Sequence, residues 1–291
     1  MRTQSSDTSP EAERVQIELI RKAPITKRVA LMAELSQFLI EAHKQGIRQT
    51  HPNANEKEVG LIFVANNYSQ TLADKLKVYP PATRKATVTS HTNHLFDALT
   101  PIVAALELLG VAYYLSGAFA SAFYGTLSTA IEAAPAETLQ FVANLQLEHI
   151  QPFSALLANS YYINSDAVRH AIQRKGLFNL IHLETILPIN ISIPKARLFD
   201  QEELRRVQLQ PLMKEARPFY IASPEGTIFN KLEWYKMGGG VSDRQWNDIL
   251  GVLKVQGTNL DMLYLHRWAI ALEVVNLLQT ALVDAGLAEG K

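Results

Sequence analysis

The sequence predicts an α/β (α+β) protein in which a small mixed sheet carries a helical carboxyl-terminal half and follows a small all-helical domain. Three observations predict it. Up to about Tyr79 the apolar residues recur at helical spacing. Between about Thr100 and Ile193 short runs with strand alternation are interleaved with capped helices. Beyond about Phe199 helix starts and stops follow one another. Strands alternating with helices first, and helices dominating later, is the pattern of a mixed sheet under a helical cap.

The first helix opens at Ser9-Pro10-Glu11: a hydroxyl to cap, a proline for the first turn and an acid near the positive end of the dipole. A second runs from about Thr26, with Val29, Met32, Leu35 and Leu39 on one side, and ends near Gly46. Glu56 to Leu76 holds a third, with room for a fourth. These make a helical domain over residues 1–79. Residues 80–97 read as a linker, since PPATRKATVTSHTN has two prolines, many threonines and no apolar period. The remaining domain, 98–291, starts at Thr100-Pro101, a second cap-plus-proline signal. Its helix stops at Gly110, and VAYYLSG follows as a short buried strand. Ser116-Gly117 turns the chain into the small-residue helix AFASAFYG.

In TLQFVANL, Thr138, Gln140 and Asn144 alternate with Leu139, Phe141, Ala143 and Leu145, as in a strand with one buried face. Then come helix HIQPFSALLA, strand YYI, a capped helix from Ser165 to Lys175 and two consecutive strands, FNLIHLE and LPINISI. Ser223-Pro224-Glu225 starts a helix that Gly238 stops. Ser242 with Gln245 forms a capping box for the next, and Asp261 caps the last long one.

Bulk chemistry narrows the function. The 291 residues carry 28 basic and 28 acidic side chains, a formal charge of zero, so no global field draws in a polyanion. The absence of cysteine excludes disulfides and thiolate metal sites. MRTQSSDTSPEAER lacks the apolar core of a signal peptide, and Pro101 to Gly125 is broken by Glu107, Gly110, Ser116 and Gly117. A cytoplasmic protein without membrane association is expected.

Four segments carry a resemblance: YYLSGAFASAFYG, HIQPF, FNLIHLE and the long SPEGTIFNKLEWYKMGGGVSDRQWNDILGVLKVQG. Through them the chain from about Leu99 to Gly286 resembles the bacterial nucleotidyltransferase-like proteins related to the toxin halves of some toxin–antitoxin pairs. The resemblance implies a sheet of nucleotidyltransferase type. In that family a strand, a Gly-Ser turn and a helix precede a strand bearing Asp-x-Asp, and a third Asp lies on a later strand. The three carboxylates hold magnesium ions that bridge the phosphates of a nucleoside triphosphate. The turn offers backbone N–H groups to the phosphates.

At each decisive point this chain departs from that pattern. Alignment on Gln146 to Phe153 sets Thr138 and Gln140 at the Asp-x-Asp positions, and Asn190 at the third Asp. Gly-Ser reads Gly117-Ala118, and Thr126 to Glu137 is longer than the family's segment. A placement without that gap puts Glu132 and Ala134 at the paired positions, which still leaves one carboxylate of three. Neutral side chains cannot offset two dications. Losing such a clamp removes several kcal/mol of transition-state stabilisation, roughly a thousandfold in rate at about 1.4 kcal/mol per factor of ten.

The resemblance therefore implies a nucleotidyltransferase scaffold without catalysis, serving as a nucleotide-binding or protein-interaction module. Gly117, Ala118, Ser121, Lys231 and Asp248 are its candidate nucleotide-binding residues, and no metal ligand is assigned. A small-residue packing turn and a helix-surface salt bridge are the plainer accounts of these same residues. The competing reading is an active transferase that uses magnesium, a nucleoside triphosphate and substitute acids such as Glu132, Glu137, Glu184 or Asp200. A third is a nucleic-acid-associated regulator working through the basic residues of the amino-terminal helices, among them Arg14, Arg21, Lys22 and Arg48. The partners in view are a nucleotide, a protein or a second copy of the chain. Trp234, Tyr235, Trp246 and Trp268 are expected in the helical core, and His182 in the sheet. His91 and His94 have metal-ligand spacing but no acid or thiol partner nearby.

Overall fold

The computed structural model describes residues 3, 10–24, 27, 43–67, 70–77, 93–125, 139–184, 187–210 and 218–288. Those residues form a mixed α/β protein with seven strands and a larger number of helices. The chain folds as two compact units that interleave in sequence. The first gathers Met1–Met32, Tyr114–Ala133 and Ala196–Lys291; the second gathers Ala33–Tyr113 and Ala134–Lys195.

The second unit holds helices α2 (Glu56–Asn67), α3 (Gln70–Lys77) and α4 (Asn93–Leu108), then strand β2 (Leu139–Ala143). Helix α6 (Ile150–Leu157), strand β3 (Tyr161–Ile163), helix α7 (Ser165–Arg174) and strands β4 (Leu177–His182) and β5 (Leu187–Ser192) complete it. Its strands lie in the order β3-β4-β5-β2. The first two pairings are antiparallel and β5–β2 is parallel. The alternation read in TLQFVANL is realised: Leu139, Phe141 and Ala143 are buried, and Gln140 and Val142 half-buried between them. Phe178, Leu180, Ile189 and Ile191 extend that apolar face. The opposite face is covered over β3 and β4 by α2 and α3, where Val64, Ala73 and Leu76 pack on Ile181 with Tyr162 and Leu183.

The sequence starts α4 at Thr100-Pro101, but the helix begins at Asn93 and carries Pro101 inside it. Ala98, Leu99, Ile102, Val103 and Leu106 form a buried stripe that runs straight through the proline. Continuous burial outweighs the one backbone hydrogen bond that proline cannot donate. The last residues of the expected linker are thus helical. Tyr161 ties β3 to this helix by donating its hydroxyl hydrogen to the Ala98 carbonyl at 2.7 Å. Near the amino terminus, residues 43–50 are helical, so Gly46 lies inside a helix and does not end one. Val29, Met32, Leu35 and Leu39 lie outside the described residues.

In the first unit are α1 (Pro10–Lys22), β1 (Tyr113–Ser116, all but its first residue), α5 (Gly117–Tyr124), α8 (Leu198–Arg206), β6 (Gln208–Gln210) and β7 (Phe219–Ile221). Four helices end it: α9 (Pro224–Met237), α10 (Asp243–Gln256), α11 (Met262–Ala271) and α12 (Val275–Ala285). β7 pairs parallel with β1 and antiparallel with β6. Two of the caps read in the sequence operate as expected. The Ser223 hydroxyl accepts from Gly226 N at 2.9 Å, and the Asp261 carboxylate accepts from Tyr264 N at 2.9 Å. The last long helix is in fact two, since the chain turns at Leu272–Val274 between α11 and α12. Strands β6 and β7 are absent from the sequence expectation, which has mostly helices beyond Phe199.

Helix α1 is fixed to α10. Lys254, 3% exposed, donates to both carboxylate oxygens of Glu13 at 3.0 and 3.1 Å. Arg21 donates through Nε to the Val255 carbonyl at 3.0 Å and through Nη2 to the Lys254 carbonyl. A guanidinium on the last carbonyls of a helix satisfies acceptors that have no partner in the helix itself.

Candidate functional site

In the first unit the β1 strand is buried along its whole length and delivers the chain into α5. The turn uses a positive φ of 66° at Gly117, a conformation that a side chain would strain. Ser116 occupies the cap position without making a side-chain cap bond. Ser121 lies one helical turn on and donates its hydroxyl hydrogen to the Gly117 carbonyl at 3.0 Å. That hydroxyl is committed as a donor, leaving only its lone pairs. Ala118, beside Gly117, is half-buried.

Lys231 on α9 and Asp248 on α10 meet at 2.6 Å, with side chains only 6% and 9% exposed. A helix-surface salt bridge was the plainer expectation; the bridge forms, but out of water. A buried pair joins its helices because either charge alone would be costly there. Trp246 and Trp268 are buried as expected, Trp246 packing against Tyr235 at 5.0 Å between ring centroids. Trp234 differs, standing half exposed.

The carboxylate positions implied by the resemblance lie in the second unit. Gln140 on β2 stands in register with Asn190 on the parallel strand β5. Asn190 is in turn in register with Asn179 on β4. Residues in register on neighbouring strands point to the same face, so these three amides form a row. Among the described residues none of the three side chains has a hydrogen-bond partner. Thr138 falls outside the described residues, as do Glu132, Glu137 and His91. Asn179 is not among the residues that the sequence points to. Its signal was the alternation of FNLIHLE, which puts residue 179 opposite Phe178 and Leu180.

Magnesium does not fit this row. The ion takes hard oxygen ligands and needs negative charge to displace its water, whereas Gln140, Asn190 and Asn179 are neutral. Among the described residues no group of three or more His, Asp or Glu side chains could hold a metal ion. Of the substitute acids, Glu184 is exposed just beyond β4. Asp200 is engaged by Arg197, whose Nε and Nη2 reach its two oxygens at 2.9 and 2.8 Å. Arg197 also donates to Glu233 at 2.5 and 3.0 Å, and these two carboxylates raise its affinity for the proton. His182 is buried in the sheet at 5.1 Å from the Tyr161 ring.

Sequence reasoning missed Glu203 altogether. It is 1% exposed on α8, and Phe199, four residues earlier, is the other buried side chain of that helix. An acid at that spacing on the apolar side was the available signal. Its Oε1 accepts from the Tyr264 hydroxyl at 2.9 Å, and Oε2 is buried with no partner among the described residues. Burial, reinforced by the charge of Glu225, outweighs that hydrogen bond and the charge of Arg206 and pushes the carboxyl up to about 8.

No helix among the described residues is long and apolar enough to cross a membrane. No family model matches the chain, and no curated protein matches it.

Proposed function

We propose that this chain is a nucleotidyltransferase-fold protein of the cytoplasm that has lost catalysis and acts as a nucleotide-binding or protein-interaction module. One observation carries the reading: Gln140 and Asn190, which the resemblance aligns with metal-binding aspartates, stand in register on adjacent parallel strands. Two positions far apart in sequence thus adjoin as a shared metal site requires, and both carry neutral amides. That adjacency supports the proposed scaffold, and the neutrality of both side chains supports the loss of catalysis. Gly117, Ala118 and Ser121 in the turn, with Lys231 and Asp248 behind it in sequence, are the residues proposed for any remaining contact with a nucleotide.

The test is a transfer assay on the full chain with labelled nucleoside triphosphates, magnesium or manganese, and protein, RNA and small-molecule acceptors. No transfer is expected. Replacing Thr138, Gln140 and Asn190 together by Asp should create a manganese-dependent thermal shift that the parent lacks. Label transfer by the parent chain that disappears in Glu132→Gln would replace this reading by the active transferase.

A further inference from the structure

The α8–α9–α11 corner of the first unit contains a carboxyl group that the proposed function does not use. Glu203 enters it from α8. From α11 Tyr264 donates to Oε1, and at the α11 cap Asp261 stands within 3.6 Å of Arg206. From α9 comes Glu225, which accepts from Asp261 N at 2.9 Å and lies 3.7 Å from Arg206. From β1 comes Tyr114, whose hydroxyl is pushed up by burial and by the Glu203 charge. Its own helix adds Arg206 and Asp200, while Glu202 acts on the Tyr264 hydroxyl. The floor is Gly226, where any Cβ would overlap the Glu203 carboxyl. Arg206 spreads over the Tyr264 ring at 4.0 Å, while its Nε is buried without a partner among the described residues. An acid and a guanidinium one turn apart on α8 thus each keep a polar atom unused.

We propose that Glu203 is a proton-operated switch for this corner. As a neutral acid it fills a buried seam and hydrogen-bonds Tyr264. On losing its proton it takes Arg206 from Glu225 and Asp261 and loosens the amino terminus of α11. The inference is independent of the nucleotidyltransferase reading. The carboxyl ionises near 4.5 in the unfolded chain and near 8 in the folded one, so the folded chain holds the extra proton between those values. Its stabilising contribution is complete below about 4.5, falls as pH rises and is lost above about 8.

All three tryptophans, Trp234, Trp246 and Trp268, belong to the first unit, so their fluorescence reports its unfolding. In urea titrations of the full chain, the folded-to-unfolded ratio should fall by roughly several hundredfold between about pH 5 and about pH 9. Glu203→Gln, which mimics the neutral acid, should remove most of that fall and exceed the parent in stability at the alkaline end. Exchange of the Tyr264 amide should accelerate with pH beyond the intrinsic rate in the parent and not in the variant. Parallel pH profiles for the two chains would overturn the proposal. If the variant does not fold, carbon NMR of glutamate-labelled parent decides. One glutamate carboxyl titrating near pH 8 upholds the switch, and all of them titrating in the ordinary acidic range rejects it.

Discussion

A methyl group at residue 226 would occupy the volume that the Glu203 carboxyl holds, and neither side has room to yield. Glu203 is 1% exposed, and Gly226 lies in the first turn of α9, pinned by the Ser223 cap. Gly226→Ala should therefore destabilise the first unit by about 1–3 kcal/mol, the usual cost of overpacking. Glu203→Ala alone leaves a cavity and an unanswered Tyr264 hydroxyl, and should cost a similar amount. Combined, the two changes should cost clearly less than their sum, because each removes the other's collision or void. Urea unfolding followed by tryptophan fluorescence measures the four corners of this cycle; strict additivity would mean that the two groups do not share the space. Residue 226 lies inside the segment SPEGTIFN, which is legible as a helix start. What no sequence pattern gives is that a glycine there makes room for an acid 23 positions earlier.

Elements whose signals are local were the readable ones. Helix α9 has its hydroxyl cap, its proline and its closing glycine within one stretch of chain, and β2 has its alternation. Two failures share a cause. Strands β6 and β7 are three residues each, and QLQ carries no apolar period, so they exist through pairing with each other and with β1. Helix α4 starts earlier than its sequence signal because a cap-like Thr-Pro pair lies in its middle, where the tertiary burial of Leu99 and Ile102 overrides it. The junction of α9 with α10 rests on Lys231 and Asp248, a pair legible as partners but not as buried. Asp248→Ala should cost about 3–5 kcal/mol, since the Lys231 ammonium stays out of water without a carboxylate. Lys231→Met with Asp248→Leu should cost far less, because an apolar pair needs no compensation. A single change as mild as the double one, by urea titration, would show that water reaches the ammonium. In the candidate site, the resemblance named Gln140 and Asn190 from separate segments, and only the register of β2 with β5 joins them.

At the scale of the whole chain, residues 1–79 do not all serve one unit. Helix α1 supplies Glu13 and Arg21 to α10 in the first, while α2 and α3 cover Ile181 on the sheet of the second. Where a domain boundary is real, few contacts cross it and the pieces fold apart. A fragment of residues 98–291 would take the carboxylate from the 3%-exposed Lys254, strip the cover from Ile181 and remove the first turn of α4. Loss of one partner of a buried pair alone costs about 3–5 kcal/mol, a large part of a typical folding free energy of about 5–15 kcal/mol. The fragment should therefore melt well below the full chain and bind a hydrophobic dye that the full chain excludes. Residues 1–79 alone should give a weak helical signal without a cooperative melt, since the surfaces that α1, α2 and α3 bury against are missing. Two fragments that each melt cooperatively, with 98–291 matching the full chain, would instead establish the amino-terminal helices as an autonomous domain. Adding 1–79 to 98–291 in trans should recover part of the lost stability if the contacts of α1 with α10 are the cause.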